Sequence, residues 1–208
     1  MPTLVLASGN AGKLREFSSL LAPLNWDVQP QSAYAVPDCP EPHPTFIENA
    51  LAKARHAAAH TGLPALADDS GLCVAALGGA PGVLSARYAI DFDDYASHKD
   101  AANNAKLLQA LAQYSNRWAY FVAVLVALRE PADPEPLIAI GRWQGQIAHA
   151  PSGQGGFGYD PLFVCAQTGL SAAAMSAAQK SAHSHRGQAS AQMLDLIQKQ
   201  WHSYSHSQ

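Results

Sequence analysis

The chain has 208 residues, 48% of them hydrophobic and 14% charged, with a formal net charge of -3. This length can enclose a sizeable core, and the hydrophobic fraction excludes a disordered chain. The acidic balance argues against a nucleic-acid polymer as ligand, because such proteins usually carry a basic face. A small phosphorylated ligand needs only a few local cations and stays open.

In chain order, Thr3 to Ala7 reads as a buried strand. Ala11 to Leu21 has helical spacing through Leu14, Phe17, Leu20 and Leu21 and ends before Pro23. Trp26 to Val28 is a short strand candidate, and Tyr34 to Pro44 is a proline-bearing loop. Thr45-Phe46-Ile47-Glu48 has the T-x-x-E form of a capping box and opens a helix to about His60, stopped by Gly62 and Pro64. Ala65 to Ala67 leads a strand into Asp68 and Asp69. Gly78 to Gly82 is a turn, and Ser97 to Tyr114 is a third helix with Leu107, Leu108 and Leu111 on one face. Trp118 to Arg129 and Leu137 to His149 are long strands joined by the polar loop E-P-A-D-P-E-P. Gly153 to Pro161 is a glycine-rich loop, and Ala189 to Trp201 is a last amphipathic helix followed by a frayed tail of about seven residues. Early alternation of strand and helix with a late hairpin predicts an α/β fold with a mixed sheet, residues 1–208 forming a single domain.

The three cysteines, Cys39, Cys73 and Cys165, are far apart and make no C-x-x-C pair. They read as reduced thiols of a cytoplasmic protein rather than as a zinc or disulfide framework. The start M-P-T-L-V-L-A lacks the basic region of a signal peptide. The longest apolar run, Ala119 to Leu128, is shorter than the roughly 20 residues that span a bilayer.

Three segments carry chemistry. Ser8-Gly9-Asn10-Ala11-Gly12-Lys13 places a glycine-bearing turn and a lysine between a strand and a helix, where free backbone N–H groups and the helix dipole suit an anion. It is not a Walker A loop, because Gly9 and Gly12 are too close together and Leu14 follows the lysine. A tight turn with a solvated lysine is the plainer alternative. Gly153 to Gly158 matches G-x-G-x-x-G, but Tyr159-Asp160-Pro161 follows instead of a helix, which excludes the dinucleotide fingerprint. This loop reads instead as a lip presenting Phe157 and Tyr159 to stack on a base, or with Phe157 simply in the core. Lys180, His183, His185 and Arg186, in K-S-A-H-S-H-R-G, make a cationic patch able to meet phosphate and keto oxygens, or else a solvated basic turn.

The paired carboxylates Asp68 and Asp69, followed by Ser70 and Gly71, read as the end of a buried strand. Burying both charges is costly unless a cation or hydrogen-bond donors compensate. Mg²⁺ suits an all-oxygen site of one or two carboxylates. An Asx-type turn is the ordinary alternative.

Five segments in order resemble the inosine triphosphate pyrophosphatase family, which acts on non-standard purine nucleotides. They are S-G-N-A-G-K near the start, T-F-I-E-N-A-L-A-K-A at 45–54 and the long stretch from A-D-D-S-G-L to S-A-R-Y-A at 67–89. G-G-F-G-Y-D-P-L-F at 155–163 and K-S-A-H-S-H-R-G at 180–187 complete the set. The resemblance covers nearly the whole chain. It implies an elongated mixed β-sheet flanked by helices, with two lobes and a central nucleotide cleft. It also implies Mg²⁺-dependent hydrolysis of ITP, dITP and XTP to the monophosphate and pyrophosphate, and a homodimer.

By motif position the resemblance assigns Asp69 as general base and metal-linked carboxylate and Glu41 as a second metal ligand; Asp68 is expected to assist Asp69. It assigns Ser8, Gly9, Asn10, Ala11, Gly12 and Lys13 to the triphosphate. Ser70, Phe157, Gly158, Tyr159, Asp160, Lys180, His185 and Arg186 are the remaining nucleotide contacts. His43 stands where relatives often have glycine, and Ala178 and Gln179 stand where they tend to have acids. Neither nucleic acid nor membrane is expected as a partner. Other classes also fit the residues: a non-catalytic nucleotide sensor of the same fold, and a phosphatase working through an aspartyl-phosphate.

Overall fold

The computed structural model describes residues 1–92 and 95–201, so the expected frayed tail lies outside the described residues. The strands are β1 (Thr3–Leu6), β2 (Asp27–Pro30), β3 (Ala65–Val74), β4 (Trp118–Leu128), β5 (Leu137–Ile147) and β6 (Phe163–Cys165). The helices are α1 (Ala11–Leu21), α2 (Phe46–Thr61), α3 (Lys99–Ala110), α4 (Ala177–His183) and α5 (His185–Leu196), the last continued by a π turn over Ile197–Trp201. The six strands form one mixed sheet in the order β2-β1-β3-β4-β5-β6. β1 pairs in parallel with both β2 and β3, while β5 and β6 pair antiparallel.

The chain divides into two compact units. One comprises Met1–Asp69, Ala123–Gly141 and the segment from Gln188 onward; the other comprises Ser70–Val122 and Arg142–Gly187. In the first unit, Leu4 and Leu6 of β1, Phe17 and Leu21 of α1, Leu66, Leu125, Met193 and Ile197 make one buried apolar cluster. The helical spacing read in α1 holds, with Phe17 and Leu21 facing inward and Leu14 and Leu20 at the margin. Complete burial of such a side chain contributes about 1.5–3 kcal/mol. The second unit has its own cluster, built on Leu72, Leu107, Leu111, Phe121, Trp143, Tyr159 and Phe163. Its aromatic centre is tight: the Phe121 and Phe163 ring centroids lie 4.6 Å apart, and those of Trp143 and Phe163 lie 4.9 Å apart.

Several boundaries differ from expectation. β3 does not stop at a turn after the carboxylates; it runs ten residues, through Asp68, Asp69 and Ser70 to Val74. Gly71 is extended and buried, and Leu72-Cys73-Val74 beyond it are buried strand formers, so nothing there reverses the chain. The Asx-turn alternative therefore falls. β2 lies slightly later than Trp26–Val28, and α3 is shorter than 97–114, with Leu111 already outside helical backbone. β6 went unread because three residues carry no periodicity. The K-S-A-H-S-H-R-G segment is not a solvated turn: it forms the end of α4 and the start of α5, so the last helix begins at His185 rather than Ala189.

Candidate functional site

In the first unit, β3 brings Asp68 and Asp69 into the interior, 2% and 8% exposed. Each carboxylate has its own lysine. Lys13 Nζ meets Asp68 Oδ1 at 2.7 Å, and Lys53 Nζ lies 2.6 Å from Glu41 Oε1 and 3.4 Å from Asp69 Oδ1. The mutual repulsion of adjacent acids is thus divided between two cations reaching them from different helices. Asp69 Oδ2 is buried and accepts no hydrogen bond among the described residues. Burial raises the Asp69 pKa above the usual carboxylate range, and the charges of Glu41 and Asp68 add to it against the pull of Lys53 and of the Asn49 side chain. Burial disfavours the charged form of Lys53, but Asp69 and Glu41 outweigh it and hold its pKa up.

The loop carrying Glu41 is fastened by α2. Asn49, 1% exposed, accepts the His43 N–H at 3.0 Å and donates to the His43 carbonyl at 3.1 Å. His43 is not among the residues with positive φ, so the position demands no glycine. Thr45 caps α2 by accepting the Glu48 N–H, but Glu48 takes the Thr45 hydroxyl at 2.6 Å. The expected reciprocal capping box is therefore one-sided.

The Ser8–Lys13 turn is ordered by its own side chains. Asn10 caps α1, its Oδ1 accepting from Gly12 N at 2.8 Å and Lys13 N at 3.2 Å, while Ser8 Oγ accepts the Asn10 N–H. Gly9, Asn10, Ala11 and Gly12 are exposed, and Lys13 reaches inward to Asp68 instead of standing solvated.

In the second unit, the glycine-rich loop separates the two aromatics that were read as a pair. Phe157 is 63% exposed, whereas Tyr159 is 4% exposed and donates its hydroxyl to the Ser85 carbonyl at 2.9 Å. Tyr159 is a core residue here, not a presented ring. Asp160 is buried, accepts the Phe157 N–H at 2.8 Å and pairs with Lys180, whose ammonium stands 5.1 Å from the Phe157 ring centroid. Gly156 has φ +76°, and a Cβ there would overlap the Asp160 carboxylate. The cationic patch is accordingly less charged than its sequence suggests, because Asp160 neutralises Lys180.

Ser184 accepts the Gly187 N–H at 3.0 Å where α5 begins. This turn sets His185 on an aromatic floor, its ring 4.9 Å from Phe121 and 6.4 Å from Trp143 and nearly parallel to both, at 12° and 18°. Arg186 Nη2 reaches Ser70 Oγ at 3.4 Å.

The Ham1 family profile matches residues 4–196. The chain belongs to the Ham1 family. A dITP/XTP pyrophosphatase of Ralstonia nicotianae is 56% identical over 197 residues, covering 95% of this chain and 97% of that protein. One of Bordetella pertussis is 58% identical over 194 residues, covering 93% and 90%. Among solved structures, a HAM1 protein from Coxiella burnetii superposes with a TM-score of 0.90 at 47% identity, covering 96% of this chain and all of the other. The resemblance drawn from the five motifs is thereby borne out.

Within this Ham1 chain, motif reading passed over Asn49 and Lys53, although both stand in the quoted T-F-I-E-N-A-L-A-K-A segment. A signal was there: spaced i, i+4, they share a helix face beside the buried alanines Ala50, Ala54 and Ala57. Phe121 and Trp143, the floor under His185, carried no local signal.

The oxygens of Glu41 and Asp69 are hard donors, and the unsatisfied Asp69 Oδ2 is the kind of atom a divalent cation completes. No group of three or more His, Cys, Asp or Glu among the described residues is arranged to hold a metal.

Proposed function

We propose that this chain is a nucleoside triphosphate pyrophosphohydrolase that converts dITP, ITP and XTP to the monophosphate and pyrophosphate, removing them from the nucleotide pool. The observation that carries the reading is the cluster in which Lys53 joins Glu41 to Asp69 while Asp69 keeps one buried oxygen open. The dITP/XTP pyrophosphatases aligned over nearly the full chain support the substrate class.

Glu41 and Asp69 are the residues that would hold Mg²⁺, which supplies charge neutralisation for the triphosphate when bound. Lys13, Lys53 and the Ser8–Lys13 turn bind and orient the phosphates. Asp69 accepts a proton from a water molecule as the water oxygen bonds to the α-phosphorus, and the bond from that phosphorus to the bridging oxygen breaks, releasing pyrophosphate. Asp68 keeps Lys13 in place. On the base, Phe157 stacks, while His185 and Arg186 donate to the 6-keto oxygen. Adenine has an amino group there and would leave those donors unpaired, which is costly where water is excluded. Ser70, Gly158, Tyr159 and Asp160 support these contacts. The working form is a homodimer in the cytoplasm. Among the described residues no helix is long and apolar enough to cross a membrane.

Colorimetric phosphate detection on dITP with Mg²⁺, run with and without added inorganic pyrophosphatase, tests the reading. Orthophosphate should be seen only when pyrophosphatase is added. Orthophosphate without it would indicate phosphatase chemistry, and tight dITP binding with no product would indicate a sensor.

A further inference from the structure

The exposed ring of Phe157 has little packing to set its direction, so its backbone must do so. Phe157 itself is tied to Asp160, and the next residue is held from outside the loop. Gly158 N–H donates to Asp100 Oδ2 at 2.7 Å, and the Gly158 carbonyl accepts from Asn104 Nδ2 at 2.9 Å. Asp100 and Asn104 stand one turn apart on α3, so two side chains of one helix close on both polar groups of one glycine. That glycine has φ +60°, a left-handed conformation.

The helix behind the clamp is anchored in the second unit's core. Leu107 is fully buried in the second unit's core, and Asn103, 3% exposed, accepts the Ala89 N–H at 2.8 Å. Asn104 Oδ1 is buried and accepts no hydrogen bond among the described residues. Its amide is committed to the Gly158 carbonyl at a standing cost to the fold, a pattern more typical of a positioned site than of a loop optimised for stability.

We propose that Asp100 and Asn104 are positioning residues that aim Phe157 at the purine base, so that α3 governs substrate affinity without touching the substrate. The inference rests on the stacking role of Phe157 in the proposed function. Stacking one base on an aromatic side chain is worth about 5- to 150-fold in affinity by alanine substitution. Breaking either jaw should therefore raise KM for dITP by roughly 3- to 10-fold, within that ceiling, and leave kcat within about twofold, as loss of uniform binding does.

The test is steady-state kinetics on dITP for Phe157→Ala, Asn104→Ala, Asp100→Ala and the two double variants, with melting temperature and circular dichroism recorded for each. Phe157→Ala alone should raise KM about tenfold; no effect would remove the stacking role and this inference with it. If Phe157→Ala acts as expected, adding Asn104→Ala or Asp100→Ala should change KM no further, because there is no ring left to aim. KM effects that multiply, or a loss confined to kcat, would overturn the clamp while leaving the stacking role standing. Should Asn104→Ala fail to fold, Asp100→Ala, which opens the other jaw, decides the matter.

Discussion

Replacing Lys53 with methionine removes a charge but keeps most of the apolar stem. In the native cluster Lys53 Nζ lies 2.6 Å from Glu41 and 3.4 Å from Asp69, with side-chain exposures of 14% for the lysine, 28% for Glu41 and 11% for Asp69. Deleting one partner of a fully buried ion pair costs about 3–5 kcal/mol. Glu41 can recover some hydration, so the expected cost in metal-free buffer is about 2–4 kcal/mol. For a chain of this length that lowers Tm by roughly 5–15 °C. The reasoning is specific enough to be checked by a cycle. Adding Glu41→Gln to Lys53→Met removes one of the two stranded carboxylates, so the double variant should be more stable than Lys53→Met by at least about 1 kcal/mol. Differential scanning calorimetry on the four proteins supplies the measurement. A Lys53→Met protein melting within about 1 °C of the parent, or a double variant less stable than the single, would refute the assignment of Lys53 as the shared counter-charge.

Asp69→Asn should lower kcat by at least ~100-fold while leaving Tm equal or higher, since the charged carboxylate is disfavoured by its own burial; kinetics and calorimetry read the two effects separately. Millimolar Mg²⁺ should raise the Tm of the parent and fail to do so after Asp69→Asn or Glu41→Gln. Arg186→Ala should erode the preference for dITP over dATP, measured as the ratio of kcat/KM; an intact ratio would break the 6-keto account. Asp133 accepts hydrogen bonds from Arg129 N, Nε and Nη2 and from Glu135 N, which hold its pKa well below the usual carboxylate range. A depressed pKa stabilises the fold above ~pH 4 and loses that contribution in acid. Asp133→Asn should thus cost about 1.5–3 kcal/mol at pH 7, with the gap in Tm to the parent narrowing toward pH 3.

What could be read beforehand follows from how far each interaction reaches along the chain. α1 was legible to the residue because Leu14, Phe17, Leu20 and Leu21 repeat at helical spacing and Pro23 stops it. β5 was legible because buried and exposed residues alternate along it. The stretch through Asp68 and Asp69 misled because two charges resemble a strand end, and the lysines that allow the strand to continue come from distant segments. α4 carries the capping box Ser176–Gln179, but its alanine-rich interior has no apolar period to announce a helix. The site divided in the same way: its oxygens and cations were visible as motifs. The fate of Tyr159, the pairing of Lys180 with Asp160 and the floor under His185 depend on partners 20 to 74 positions away.

The attachment of the Glu41 loop has a consequence for how natural variation in this segment should be weighed. Asn49 holds His43 through its backbone and not its side chain, so position 43 can drift among residue types without altering where Glu41 stands. Position 49 has no such latitude, because a side chain that both accepts and donates across that gap is confined to an amide of this length. A genome variant at 43 is therefore weak grounds for suspecting lost activity, and one at 49 is strong grounds.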